Sequence, residues 1–243
     1  VAFPAPGDDV YGEAPAGAFA EYVAVDATRL ARKPARATHG EAAALALSGL
    51  TALQGLLQVG ELRPGERVLI NGASGSVGTL AVQVARAAGA VVTAVCSARH
   101  VTLMQSLGAD QVINYARSDF TRSPDRYDVV LDLAANRRLR DALRVLKPGG
   151  RFVAAAIPPG APWIGPLQWL AKLALANLAG PARVAAFVAR AGRADLERLA
   201  QMVDAGQLKP VIERRHDLDE LPTAFAHVAG GRSQGATLVE MNV

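Results

Sequence analysis

From Arg67 onward, short apolar runs alternate with longer stretches in which apolar side chains recur every three to four positions. "RVLIN" (67–71), "AVVTAV" ahead of Cys96, "DQVINY", "YDVVLDLA" and "RFVAAA" are too short for helices. They are largely apolar on both faces, the pattern of strands covered on both sides. Between the first two, Val77, Leu80, Ala81, Val84, Ala85 and Ala88 follow the i, i+3, i+4, i+7 spacing and predict a helix with one buried face. "HVTLMQSLGA" predicts a short helix, and "RRLRDALRVLKPGG" one that stops at Pro148 and Gly149–Gly150. Strand and helix in repeated alternation predict an α/β fold built on a doubly wound parallel sheet.

The flanks read differently. "PGDDVYG" is turn-rich, and "GAFAEYVAVDATRLARKP" has strand character. "GEAAALALSGLTALQGLLQVG" is apolar and helical. Beyond Pro158, "PWIGPLQWLAKLALANLAG" (162–180) is the only stretch near transmembrane hydropathy. Pro166 and Lys172 interrupt it, so a helix packed in a core or an interface is expected. "RADLERLAQMVDAG" and "DELPTAFAHVAGG" predict helices, "LKPVIERRHDL" an extended piece and "GATLVEM" a last strand.

The glycines of "NGASGSVG" sit three apart, at Gly72, Gly75 and Gly78, between a strand and a helix. A phosphate at a helix N-terminus meets free N–H groups and the positive end of the dipole, and any side chain at the closest point would block it. Gly72 and Gly75 suit the turn and the approach; Gly78 suits packing of helix on strand. This context predicts dinucleotide binding. At the end of the next strand, where an acid would accept from an adenosine ribose 2′-OH, stands Cys96 followed by "SARH". No acid occurs between Val91 and Val101. Ser97 and Arg99 offer the hydroxyl and guanidinium that a 2′-phosphate needs, so NADPH is expected over NADH.

Composition narrows the rest. The 243 residues carry a net charge of +4, but the arginines form no run and only 5% of residues are aromatic, so no nucleic-acid partner is expected. One cysteine excludes an intrachain disulfide framework and a Cys-cluster metal site. The N-terminus lacks the basic-then-apolar order of a signal peptide, so a cytoplasmic protein without a membrane partner is expected.

The stretches "GDDVYG", "GAFAEYV", "SGLTALQGL", "GERVLINGASGSVGTLAVQVARAAGA", "SLGADQVINY", "LKPGGRFV" and "GQLKPVIERRHDLDELPTAF" cover nearly the whole chain. In that order they resemble the zinc-independent, quinone oxidoreductase branch of the medium-chain dehydrogenase/reductases. The resemblance implies a Rossmann sheet plus part of a mainly β GroES-like catalytic domain. Residues 1–40 would be a remnant of that domain, 41–185 the dinucleotide-binding domain, and 186–243 the return to the catalytic domain. It implies an NADPH-dependent reductase of quinones or α,β-unsaturated carbonyls. Ala73, Ser74, Gly75, Ser76, Val77 and Gly78 fall on the family's pyrophosphate loop, Ser97, Arg99 and Tyr115 on its 2′-phosphate site, Thr51 beside the nicotinamide, and Leu133 and Ala134 where the chain passes the cofactor.

The chain also departs from that pattern. It begins at Val1 well inside the expected catalytic domain, as a fragment, a mis-called start or a natural truncation would, and a truncation would expose apolar surface and favour a homodimer or larger. Leu47 stands where zinc members have a cysteine, so no zinc is expected. Gly235–Ala236 replaces a common Gly-Lys pair. His39 and His100 read as surface residues at helix starts, and His216 and His227 as isolated. No tyrosine has a lysine four residues on, which argues against a short-chain dehydrogenase. A nucleotide-binding protein without turnover is the alternative to an enzyme.

Overall fold

A computed structural model describes residues 3–156, 165–231 and 233–241. The elements in chain order begin with β1 (Val10–Gly12), β2 (Leu30–Arg32) and α1 (His39–Leu53), which runs into a π-helical segment, Gln54–Val59. Next come β3 (Arg67–Asn71), α2 (Ser76–Ala87), β4 (Val91–Cys96), α3 (Val101–Ser106), β5 (Gln111–Asn114) and β6 (Tyr127–Asp132). They continue through α4 (Leu139–Leu143), β7 (Leu146–Ala154), α5 (Gly165–Ala179), β8 (Arg183–Ala186) and α6 (Arg193–Asp204). The last are β9 (Ile212–Asp217), α7 (Leu221–Ala229) and β10 (Ala236–Glu240). Two compact units result: Thr51–Ser74 with Ala81–Val188, and Val1–Leu50 with Gly75–Leu80 and Ala189–Val243.

The first unit holds a six-stranded sheet in the order β5-β4-β3-β6-β7-β8, every pair parallel. The chain starts at a central strand, moves outward through β4 and β5, then crosses back to β6, so the switch point lies between β3 and β6. β3, β4 and β6 are buried along nearly their whole length, as their unbroken apolar runs require. Leu69, Val95, Val130, Phe152, Trp169 and Leu173 anchor one face of its core. Each such side chain contributes about 1.5–3 kcal/mol through burial.

Three expectations fail locally. α4 ends at Leu143, not Lys147, because β7 begins at Leu146. The pairing of β6 with β7 jumps from Tyr127–Leu146 to Val129–Arg151, so Lys147–Gly150 bulge out of the ladder, where Pro148 needs no N–H. α2 is buried on all sides from Thr79 to Ala85 instead of along one face. "GAFAEYV" is irregular, and only Leu30–Arg32 of the region after it becomes a strand.

The second unit contains two small sheets, antiparallel β1–β2 and parallel β9–β10. Tyr11 Oη donates to Leu196 O at 2.5 Å, fastening β1 to α6, and burial pushes the phenol pKa well up. Gly49 explains the small Ser48–Gly49 pair, since a Cβ there would stand 2.9 Å from Leu199 on α6. Among the described residues one helix, His39–Val59, is long and apolar enough to cross a membrane, with 61% of its window buried in the protein. Core helices pass the same test, and the 162–180 stretch is thus not the only one near that hydropathy. Trp163 lies outside the described residues, and from Gly165 that stretch forms α5.

Candidate functional site

The turn after β3 is built by one conformational requirement. Gly72 has φ +86°, and a Cβ on it would lie 3.3 Å from Leu133 Cβ and 3.4 Å from Ala134 Cβ. A side chain there would be strained by the backbone and crowded by the neighbouring loop. Ala73, buried, donates its N–H to Val95 O at 3.1 Å and so hooks the turn over β4; Ser74 is half-buried. Gly75, Ser76, Val77 and Gly78 then open α2. Thr79 N donates to Gly75 O at 3.0 Å and Thr79 Oγ1 to Ser76 O at 3.1 Å. The first-turn N–H groups and the dipole are the features by which a helix start can hold an anion.

The ends of β4 and β5 come together. Cys96 pairs with Asn114, and Tyr115 N donates to Cys96 O at 3.1 Å, which sets Tyr115 beside the chain that enters Ser97. Tyr115 is half exposed. Ser97 Oγ is buried and has no hydrogen-bond partner among the described residues. Burial pushes the Cys96 thiol up, so it stays a neutral thiol and not a nucleophile. Arg99 is exposed, but His100 is not the surface residue its position suggested: it is 3% exposed. His100 N donates to Ser97 O at 3.1 Å, closing a 3-10 turn that swings the imidazole inward. Arg99 Nε donates to His100 Nε2 at 3.0 Å.

A buried polar cluster that sequence reasoning missed shapes the loop carrying Leu133 and Ala134. Asp132, at the end of β6, accepts from Asn71 Nδ2 at 2.8 Å, Ala134 N at 3.2 Å and Ala135 N at 3.0 Å, all through Oδ1. Asn71 Nδ2 also donates to Asn136 Oδ1 at 3.0 Å, and Leu133 N to Asn71 O at 2.9 Å. Asp132 and Asn71 are both buried. These bonds hold Ala135 at φ +47°, a conformation a non-glycine residue reaches only under constraint. The available signal was a polar residue closing each of two apolar strands. A buried carboxylate at a strand end needs donors, and only tertiary structure shows where they are.

A family model described as zinc-binding dehydrogenase matches residues 107–239, more than half of the chain. The chain belongs to that family. It lies in the zinc-independent, quinone oxidoreductase branch of the medium-chain dehydrogenase/reductase superfamily. It is 35% identical over 257 residues to the mitochondrial NAD(P)H oxidoreductase RTN4IP1 of Mus musculus, covering 97% of this chain and 65% of that protein. It is 31% identical over 249 residues to the 2-methylene-furan-3-one reductase of Solanum lycopersicum, covering 96% of this chain and 57% of that one. The solved quinone oxidoreductase of Coxiella burnetii matches with a TM-score of 0.82 at 28% identity, over 98% of this chain and 72% of its own. The chain thus spans about two thirds or less of the length of these curated relatives.

Leu47 is half exposed on α1, and no group of three or more His, Cys, Asp or Glu able to hold a metal occurs among the described residues. The two C-terminal histidines are not isolated as expected. His216 Nδ1 lies 3.2 Å from Glu220 Oε2, and His227 Nε2 lies 2.8 Å from Glu213 Oε2. Thr51 is half-buried near the end of α1, three residues before the π segment.

Proposed function

We propose that the protein is an NADPH-dependent oxidoreductase that reduces a quinone or an α,β-unsaturated carbonyl. The observation that carries this reading is the strand end at Ser97. A buried hydroxyl without a partner among the described residues at Ser97, an exposed guanidinium at Arg99 and the half-exposed phenol of Tyr115 stand on the residues that follow β4 and β5, and no acid occurs between Val91 and Val101. That donor set fits a 2′-phosphate. The Ala73–Gly78 turn would hold the pyrophosphate, and the Leu133–Ala134 loop and Thr51 would border the nicotinamide. Bound NADPH supplies the hydride. The chain's own residues bind and orient, and nothing among them is needed as a nucleophile or metal ligand. The oxidoreductase names of the relatives, and the enone in the name of the tomato protein, support the substrate class.

Nicotinamide fluorescence titration tests the reading. A hydrogen bond to a charged group contributes about 1.5–3 kcal/mol, roughly 10- to 150-fold in affinity. NADPH is therefore expected to bind at least ~10-fold more tightly than NADH, with Arg99→Ala removing most of the difference while leaving NADH almost unchanged. Equal affinities in the unmodified protein overturn the cofactor choice. Oxidation of NADPH by a panel of quinones and enones tests the reaction, and absence of turnover with tight binding would favour a nucleotide-binding protein instead. Elemental analysis is expected to find no stoichiometric zinc. The exposed Leu170, Leu175 and Leu178 of α5 favour a homodimer or larger. A clean monomer by light scattering at tens of micromolar counts against that.

A further inference from the structure

We propose that His100 is a specificity-positioning residue: its buried imidazole fixes the Arg99 guanidinium for a 2′-phosphate, so that discrimination between NADPH and NADH depends on a side chain that does not touch the cofactor. The proposal deepens the cofactor reading above and rests on it.

The geometry starts in the 3-10 turn Ala98–His100. The bond from His100 N to Ser97 O draws residue 100 back toward the strand end, and His100 is 3% exposed while its neighbour Arg99 remains exposed. Arg99 Nε then meets His100 Nε2 at 3.0 Å. An arginine Nε is always protonated, so the bond has one direction: Arg99 donates and His100 Nε2 accepts. Nε2 therefore carries no proton in this bond. A buried ring cannot follow the exposed arginine as it moves, so the ring acts as a fixed post for the guanidinium plane.

This matters because arginine loses much rotational freedom when it is held, and its recognition of phosphate depends on presenting two N–H groups side by side. With Nε committed to His100, the plane of the fork is set before a ligand arrives, and the terminal nitrogens project from a defined root two residues beyond Ser97. Preorganisation of this kind raises affinity by lowering the ordering cost of binding. NADH has no 2′-phosphate and gains nothing from it, so the effect appears only in the comparison of the two cofactors.

The test is a double-mutant cycle read by binding. NADPH and NADH are titrated by nicotinamide fluorescence against the unmodified protein, His100→Leu, Arg99→Ala and the double variant. His100→Leu removes the acceptor and is expected to weaken NADPH about fivefold to tenfold with little change for NADH. In the Arg99→Ala background the same change is expected to have almost no effect, because the guanidinium to be positioned is gone. His100→Gln, which keeps an acceptor and is more tolerant of the site, is expected to restore part of the preference. It also serves as the reporter should His100→Leu not fold. Nitrogen-15 shifts of His100 in the cofactor-free protein are expected to show an accepting Nε2. An equal loss for both cofactors, additive losses in the double variant, or a protonated Nε2 overturns the role of His100 while leaving the NADPH reading intact. Equal affinities in the unmodified protein overturn the NADPH reading, and the role of His100 in specificity with it.

Discussion

The two compact units solve the problem of strand pairing in opposite ways. In the unit of Thr51–Ser74 and Ala81–Val188, six parallel strands satisfy one another, and most of the unit is one continuous stretch of chain. The other unit is assembled from three stretches and holds only two two-stranded sheets. It leaves Phe19, Tyr22, Phe225 and Val228 half or more exposed, Tyr22 at 84%. Isolated two-stranded pairs are marginal on their own. Charge divides the same way. The sheet unit has 15 lysines and arginines against 8 acids, a net of +7, and the other 11 against 14, a net of −3. The modest overall charge of +4 is thus the sum of two units of opposite sign.

The sharpest way to break this comparison is to cut into each core. Phe152→Ala, in the sheet, is expected to cost about 3–5 kcal/mol in denaturant unfolding. Leu238→Ala, in the β9–β10 pair, should cost less, about 2 kcal/mol, because Leu238 is 7% exposed and lies in a two-stranded sheet. Similar losses would mean that the second unit is as tightly built as the first. Next in size is Asp132→Ala. It strands the Asn71 amide and the N–H groups of Ala134 and Ala135, and a loss of about 3 kcal/mol is expected. Asp132→Asn, which keeps an acceptor, should lose less, and weakened dinucleotide binding in the folded variant would tie the cluster to the Leu133–Ala134 loop.

A smaller effect is expected from Tyr11→Phe, which leaves Leu196 O without its 2.5 Å donor. The expected loss is about 1–2 kcal/mol by thermal or chemical unfolding. No change would show that β1 and α6 are held by packing alone. The smallest concerns acid. Burial alone would raise the Asp128 carboxyl, but hydrogen bonds from Lys147 Nζ at 2.7 Å and Arg67 N at 2.8 Å outweigh it and hold the pKa below its ordinary value. A depressed carboxyl contributes stability above the unfolded pKa, about 3.9, and that contribution is lost as pH falls through the folded value. Asp128→Asn should therefore flatten the fall in stability below about pH 4. An unchanged acid limb would show that the Lys147 pair contributes nothing measurable to the sheet unit.

Much of the sheet was legible in the chain. β3, β4 and β6 lie where unbroken apolar runs predicted them, because a strand covered on both faces advertises itself locally, and the half-buried β5 lies within the predicted "DQVINY". The turn at Gly72 was legible for the same reason: a positive φ demands glycine whatever the rest of the fold does. What depended on distant partners was not. The boundary between α4 and β7 was misplaced because pairing with β6 overrides the helical spacing of residues 144–147. Strand character in residues 17–25 did not become a strand, since periodicity alone cannot supply a neighbour to pair with.

The candidate site divides along the same line. Glycine spacing, Ser97, Arg99 and the missing acid are properties of the chain itself, and the charge and hydrogen-bonding capacity of each are the same in any fold. The burial of His100, the direction of its bond to Arg99, and the meeting of Asn71 with Asp132 across two strands were decided by tertiary structure. Each turns on the desolvation of a polar group and on which donor or acceptor then lies within about 3 Å, and neither quantity exists until the chain has packed.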